Sequence, residues 1–397
     1  MRVLCLDIEG GYGGSSRSLF EFLKNVPRQK IDIEVWHKKN GPIGTAYSEQ
    51  NIYAQVTPSM PKATSVEKFS RNCVEYGRFI IQWPLSYAFR KNLLKHLDSI
   101  DLIHFNHEGL FLLAKWLRKR TLKPMTMHIR TIPPENMFSR WQARTIARCI
   151  DGVIAIAEPE AEIFKRRSQH RLNPQVIYNP IVIPSNIKSH PAIPEDNRLK
   201  LASLSNFALI RGVDRLADVA QILKEKNVKD ILFVLAGNMS LPKNFPEKTK
   251  NIKSHIDNFE AYTFESGIRD FFIFLGHTNH PEKVLAGCDA LIKLGRGQGG
   301  RDILESLGAE KPVLTIGESN RFLENGKTAI LFSEFNARAV ADAIIDLAKD
   351  RLKLSDMGGN GKSRIVAFCD PKERALDLLN FWEVTLAKKS KSSRRSS

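Results

Sequence analysis

Residues 299–317 read GGRDILESLGAEKPVLTIG: a glycine pair, a stretch with helical spacing and an acid inside it, then an apolar strand. Adjacent glycines let a ligand approach the backbone closely, and the unpaired N–H groups of a helix start attract an anion such as a diphosphate. Glu305 falls on the ligand-facing end of that helix, where a carboxylate can accept hydrogen bonds from sugar or ribose hydroxyls. The same letters also suit an ordinary strand–helix–strand crossover whose glycines only permit a tight turn. The neighbouring segments shift the balance.

On both sides of this stretch, strand and helix signals alternate. RVLCLDI is a short apolar run, SSRSLFEFLKNV has helical spacing and KIDIEVWHK alternates like a strand. DLIHFN, GLFLLAKWLRKR, PMTMHIR, SRWQARTIARC, GVIAIA and QVIYNP continue the order. Prolines 180, 184, 191 and 194 then punctuate a polar linker. Beyond it the pattern restarts with LKLASLS, GVDRLADVAQILKEKN and DILFVLAGN, and runs through FFIFLGH, DALIKLG and KPVLTIG. The expected fold class is α/β: two Rossmann-like domains facing a central cleft at the carboxyl ends of both sheets. The expected boundaries are 1–185 for the first domain, completed by a C-terminal helix at 371–387, and 186–370 for the second. The basic residues 388–397 are expected to be disordered.

At 397 residues the chain is long for a single core. Its apolar content of 42% is ordinary for a soluble protein, and no apolar run approaches the ~18 residues of a membrane span. MRVLCLDIEGG enters a strand directly, so no secretory leader is expected. The five cysteines are scattered without metal-ligand spacing, as in a cytoplasmic protein with reduced thiols. The net charge of +17 is uneven: residues 1–190 carry 28 Lys/Arg against 16 Asp/Glu. A basic first half calls for an anionic partner, a membrane surface or a phosphorylated acceptor. Candidate contact segments are Lys115–Arg120 and Phe164–Arg167. Nucleic acid is not expected, since no helix-turn-helix, finger or aromatic-basic sheet motif occurs.

Several residues could carry chemistry. After the first strand, Gly10, Gly11, Gly13 and Gly14 form an amide-rich loop opening a helix, suited to a phosphate or a reacting sugar. As a dinucleotide fingerprint the loop is poor, because Ser16 takes the third glycine position and no acid ends the next strand. His128 closes MTMHIR at the carboxyl edge, where an imidazole can bond a hydroxyl or hold developing charge. His104 and His107 end the preceding strand as acceptor-side candidates. Arg211, beside Gly212 at a helix start, is placed for a diphosphate. No Asp-x-Asp pair ends a strand, so no metal is expected. GGNGKS at 358–363 lacks Walker spacing.

Taken together, GGYGGSSRSL, DLIHFNHEG with MTMHIR, DGVIAIAEPEAEIF, RGVDRL, FLGHTNHPEKVLAGCDALI, GGRDILESLGAEKPVL and RFLENGKTAILF resemble the family 4 glycosyltransferases. These are retaining enzymes of the two-Rossmann GT-B fold. The resemblance implies a UDP- or GDP-sugar co-substrate, no further cofactor and no metal. It also implies a glycan or lipid-linked acceptor, and a cytoplasmic enzyme at the inner face of the membrane. Gly13, Gly14, Gly299 and Gly300 would cradle the donor diphosphate, with Arg211 at the family's lysine position, and Gln298 or the backbone would hold the donor sugar. Glu305 would hold the ribose, and His128 would lie beside the donor sugar. The sequence departs from the family at three places. The second family acid, separated from Glu305 by seven residues, is Gly297; the family's arginine partner is Asn206; and the lysine is Arg211. The loss of that acid keeps open a second reading, a non-catalytic sugar-nucleotide-binding or scaffold protein of the same fold.

Overall fold

The computed structural model describes residues 1–11, 13–63, 69–183, 185–241, 258–295 and 300–395, with the backbone alone at 69–71 and 391–395. The chain divides into two compact units: Met1–Pro180 with Cys369–Ser397, and Ile181–Phe368.

The first unit holds β1 (Arg2–Asp7), β2 (Asp32–His37), β3 (Tyr53–Val56), β4 (Leu102–Phe105), β5 (Met125–Ile129), β6 (Gly152–Ala155) and β7 (Gln175–Val176). They form one sheet in the order β3-β2-β1-β4-β5-β6-β7, with every pairing parallel. Its helices are α1 (Gly14–Asn25), α2 (Pro42–Glu49), α3 (Phe69–Leu85), α4 (Tyr87–His96), α5 (Phe111–Arg118), α6 (Met137–Cys149) and α7 (Glu158–Arg167). The central strands are largely apolar and wholly buried because helices cover both faces, so no position is left for a solvated side chain. In β1, Leu4 and Leu6 pack into one core with Phe105, Met125 and Met127, while Val3 and Cys5 enter the other with Leu19 and Phe22.

The second unit holds β8 (Leu199–Ser203), β9 (Ile231–Ala236), β10 (Phe272–Gly276), β11 (Ala290–Lys293), β12 (Val313–Ile316) and β13 (Ala329–Phe332). Their order is β10-β9-β8-β11-β12-β13, again all parallel. The helices are α8 (Asp214–Glu225), α9 (Phe259–Glu265), α10 (Pro281–Ala286), α11 (Arg301–Gly308), α12 (Ala337–Lys349) and α13 (Arg351–Cys369). Leu216, Val219, Ala220 and Leu223 of α8 share a core with Val340, Ile344 and Leu347 of α12, at the three- and four-residue steps that put side chains on one helix face. GGNGKS lies inside α13, so its glycines serve helix packing and form no phosphate loop. A Cβ on Gly358 would stand 2.0 Å from the Glu310 carbonyl oxygen.

The last helix, α14 (Pro371–Arg395), belongs to the first unit. Ala375, Leu378, Leu379 and Trp382 share a core with Leu19 and Phe22 of α1. The helix continues past residue 387, so the expected disorder of 388–397 gives way to helix as far as Arg395. Lys389 Nζ lies 2.8 Å from Asp151 Oδ1, and Ser390 Oγ donates to the Leu386 carbonyl at 3.0 Å. Cations in a last turn also complement the helix dipole.

Trp382 is wholly buried and is one of the largest side chains in this core. Trp382→Ala is expected to cost about 3–5 kcal/mol of stability, the range for emptying a large aromatic site. Denaturant unfolding followed by signals from the first unit checks this; a loss below about 1 kcal/mol would mean that α14 is not part of that core.

Candidate functional site

In both sheets the chain winds outward for three strands and then returns to the other side of the first, so β1 pairs with β4 and β8 with β11. The crevice at the carboxyl ends of such a strand pair is where open α/β sheets bind ligands. The candidate residues are taken here unit by unit.

In the first unit the crevice opens between the ends of β1 and β4, where Gly10–Gly14 leads into α1. The glycines are not equivalent. A Cβ on Gly10 would stand 1.8 Å from the Lys39 carbonyl oxygen, so this position is glycine for packing. A Cβ on Gly11 or Gly13 would meet nothing within 4 Å among the described residues. Gly13 is the N-cap of α1 and brings no side-chain bond to the helix start. Gly13 and Gly14 are both exposed.

Beneath the loop lies a polar network that the sequence reading did not find. Ser16 Oγ donates to Asp7 Oδ2 at 2.6 Å, and Asn106 Nδ2 donates to Asp7 Oδ1 at 3.2 Å. Arg130 Nε donates to the Asn106 carbonyl at 2.8 Å, and its Nη1 to Asn179 Oδ1 at 3.2 Å. Glu108 Oε2 accepts the Arg130 backbone N–H at 2.9 Å. Asp7, Asn106, Glu108 and Arg130 are all buried. Each ends an apolar run or follows one directly, and this pattern was the available signal.

His128 lies near the end of β5, as expected, but without access to solvent. It is wholly buried, with Nδ1 2.9 Å from His104 Nε2. Trp382 Nε1, which can only donate, is 3.4 Å from His104 Nδ1. Thr126 Oγ1 stands at the same Nδ1, at 2.9 Å; with Trp382 donating there, His104 carries its proton on Nε2 and donates to His128 Nδ1, which leaves a neutral His128 with its proton on Nε2. Nε2 of His128 has no hydrogen-bond partner among the described residues. Burial first, then the Arg130 charge, pushes His104 down to about 3. Burial, Arg130 and His104, in that order, hold His128 well below the usual imidazole range. His104 is therefore a core residue. His107 is occupied too, since its Nδ1 accepts the Gly109 N–H at 2.9 Å. Neither faces an acceptor as expected.

Beside the loop, Lys39 and Lys62 both pair with Glu9. Burial raises the Glu9 carboxyl, but the two lysines outweigh it and hold the group below its ordinary value. Lys38 is lowered by burial, then by Lys62 and Lys39. This edge is cationic overall.

In the second unit the crevice opens between the ends of β8 and β11. Arg211 ends a short 3₁₀ turn, Leu209–Arg211, and is exposed; its side chain makes no hydrogen bond or ion pair among the described residues. The turn is pressed onto the end of β11: Gly212 has φ +74°, and a Cβ there would stand 2.0 Å from the Leu294 carbonyl oxygen. Asn206 is exposed, and its Oδ1 accepts the Asn238 N–H at 2.8 Å, so it holds a loop.

Gly300 is the N-cap of α11 at φ +147°, without a side-chain cap. A Cβ there would lie 2.1 Å from Asp302 Oδ1 and 2.2 Å from Lys293 Nζ. Those two groups form an ion pair at 2.7 Å between the end of β11 and the first turn of α11. Glycine is thus favoured at 300 by its positive φ and by this pair, apart from any ligand. Glu305 is largely buried and bonds Arg301 Nε at 2.7 Å, one turn away on the same helix. Gly297, Gln298 and Gly299 lie outside the described residues.

Residues 12–183 match Glycosyltransferase Family 4, and residues 186–364 match Glycosyl transferases group 1. Among solved structures, the chain resembles Anabaena Alr3699/HepE in complex with UDP and glucose at 19% identity, covering 96% of this chain and 98% of that one, with a TM-score of 0.73. Sucrose-phosphate synthase from Thermosynechococcus elongatus gives 16% identity, 98% and 100% coverage and a TM-score of 0.68. The lipopolysaccharide outer core galactosyltransferase WaaB, in its apo form, gives 17% identity, 96% and 99% coverage and a TM-score of 0.57. Among curated proteins none matches the chain. Two parallel sheets with flanking helices, each with its own crevice, define a glycosyltransferase of GT-B fold. The chain belongs to the family 4 glycosyltransferases.

The histidine pair yields a prediction with a definite sign. A folded imidazole held below its unfolded value contributes stability that is fully present above the unfolded pKa of about 6.5 and lost as pH falls toward the folded one. In ring-proton NMR, His104 is expected to stay neutral from pH 8 down to about 3. A titration midpoint near 6.5 for either ring would place that imidazole in water.

Proposed function

We propose that the protein transfers a hexosyl group from a UDP- or GDP-sugar to a glycan or lipid-linked acceptor, with retention of configuration and without a metal ion. The observation that carries this reading is the start of α11: a glycine N-cap with no side-chain cap, and an unpaired, exposed Arg211 on a turn pressed against the strand that leads to it. A helix start supplies free N–H groups and positive potential, and a guanidinium adds a bidentate donor. Both suit the diphosphate of a sugar nucleotide. Alr3699/HepE was solved with UDP, with UDP-glucose, and with UDP and glucose, which supports a UDP-sugar on this edge.

In this reading the start of α11, with Gly299 and Gly300, cradles the diphosphate, and Arg211 neutralises the charge that grows as it leaves. Glu305, its rotamer fixed by Arg301, accepts bonds from the ribose hydroxyls. Asn206 holds the loop that precedes the Arg211 turn. On the first unit, the exposed backbone of Gly13 and Gly14 at the start of α1 suits a sugar hydroxyl or an anion, with the buried, neutral His128 on the neighbouring strand β5. The cationic edge of Lys38, Lys39 and Lys62 favours an acceptor that carries an anion. WaaB, a lipopolysaccharide galactosyltransferase, supports a surface-glycan acceptor and a cytoplasmic enzyme working at the inner face of a membrane. One observation favours a second reading, a sugar-nucleotide binder without turnover: Gly297 stands where the family places a sugar-binding acid.

A panel of sugar nucleotides separates the two readings. Slow hydrolysis of one donor is expected for the enzyme, whereas a rise in melting temperature with no turnover would select the binder. In calorimetry, Glu305→Ala and Arg211→Ala are each expected to weaken UDP binding about ten- to hundred-fold, the worth of one or two bonds to a charged group. Unchanged affinity in both variants, with the fold intact, would remove the nucleotide from this edge.

A further inference from the structure

We propose that the exposed stripe of α3, with the turn into α4 and the end of α5, is a docking surface for an anionic lipid bilayer. The stripe begins with Val74, Ile81 and Leu85, seven and four residues apart and therefore on one face of α3. Such spacing in a globular protein marks the face that packs on the core. Here the side chains point outward: Ile80 is 70% exposed, Ile81 67% and Leu85 71%. Tyr87, two residues beyond Leu85, is 64% exposed.

Aromatic and cationic contacts join this stripe to α5. Trp83 meets Trp116 edge to face at 5.9 Å. The Arg90 guanidinium lies 4.2 Å from the Trp83 ring centre and 5.3 Å from that of Trp116, and Arg120 lies 4.4 Å from the latter. Leu122, two residues on, is 78% exposed. The charge around this apolar centre has one sign. Between residues 72 and 96 Glu75 is the only acid, and it pairs with Arg78 at 2.9 Å. Arg78, Lys91, Lys95, Lys119 and Arg120 are exposed cations.

An apolar stripe ringed by Trp, Tyr, Arg and Lys fits the two layers of a bilayer surface. The aliphatic tips enter the acyl boundary, while the aromatic rings and long cationic stems reach headgroup phosphates. No helix among the described residues is long and apolar enough to cross a membrane, so the contact is interfacial. Lys115–Arg120, expected to touch lipid, borders the patch. Phe164–Arg167, the other expected segment, does not serve: Phe164 is buried, and Arg166 and Arg167 both pair with Glu135. The surface gives the proposed lipid-linked acceptor a physical place, and only its purpose rests on that reading.

The test is flotation of the full chain, without donor or acceptor, with vesicles of phosphatidylglycerol or of phosphatidylcholine. Binding is expected to the first and not to the second, and it should weaken near 1 M salt, where the Debye length is about 3 Å. Ile81→Glu with Leu85→Glu is expected to lower binding at least about ten-fold, since charge in place of apolar area removes insertion. Both positions are exposed, so the melting temperature and UDP affinity should stay as in the unaltered chain. Lys91→Glu with Arg120→Glu should remove the salt-sensitive part while leaving the apolar stripe intact. Failure of the unaltered chain to float with phosphatidylglycerol, or equal flotation by the Ile81/Leu85 variant, would overturn the proposal. So would light scattering that shows a dimer which this variant splits, because the stripe would then bind a second copy. Donor binding is measured separately, so a chain that floats but binds no sugar nucleotide overturns the proposed activity and leaves this surface standing.

Discussion

A parallel sheet can be connected only by crossovers that carry the chain over a face, and these crossovers are overwhelmingly right-handed. To cover both faces, the chain must reverse its winding once, and the loops that leave the two strands at that point diverge to opposite sides. The gap between them cannot be filled by either loop. In this protein the constraint operates twice, at β1/β4 and at β8/β11. It explains why glycine-rich loops, unpaired helix starts and buried polar groups collect at those edges. Over most of their length the central strands β1 and β9 are apolar on both faces and have little to offer a ligand.

The first unit shows what the edge costs. Asp7, Arg130 and Glu108 are charged groups taken largely out of water, which is tolerable only when every one is bonded. The bonds run from the Ser16 hydroxyl through Asp7 and Asn106 to the Arg130 guanidinium, and from the Arg130 backbone to Glu108. Such a network fixes the ends of β1, β4 and β5 relative to one another and holds the first turn of α1 beneath the glycine loop. It also lowers both histidines behind it, because a fixed cation nearby disfavours imidazolium. A neutral His128 offers a proton donor that does not need to be charged first.

Much of this was legible in the sequence, and the rest was not for physical reasons. The alternation of apolar runs with helical spacing gave both sheets, because packing on two faces writes itself into composition. Residues 42–96 were not read, although they hold β3 and three helices. The apolar stripe of α3 there carries the pattern of a core helix but faces outward, and a moment in the sequence cannot say which side water occupies. His128 was read correctly as the end of β5 but not as buried, since its cover comes from Phe22 of α1 and, through His104, from Trp382 on a helix 254 residues later. GGNGKS, which lacks Walker spacing, sits inside α13, where the close approach of the Glu310 backbone calls for glycine at 358 and the Leu307 side chain crowds Gly361.

Glycine at 300 illustrates how a family signature can hold two demands at once. The positive φ at 300 strains any residue with a Cβ, and that Cβ would also crowd the Lys293–Asp302 pair, so glycine is favoured there even in a protein with no ligand. That pair and the Arg301–Glu305 bond also cancel two cations against two anions around the first turns of α11. Among the described residues the local charge is then set by the helix start itself and by Arg211, an exposed cation on the neighbouring turn. Neutral surroundings with a few fixed donors are the arrangement that stabilises an anion without reorganising around it. On the proposed reading, a leaving diphosphate meets dipoles already in place and needs no side chain to turn toward it.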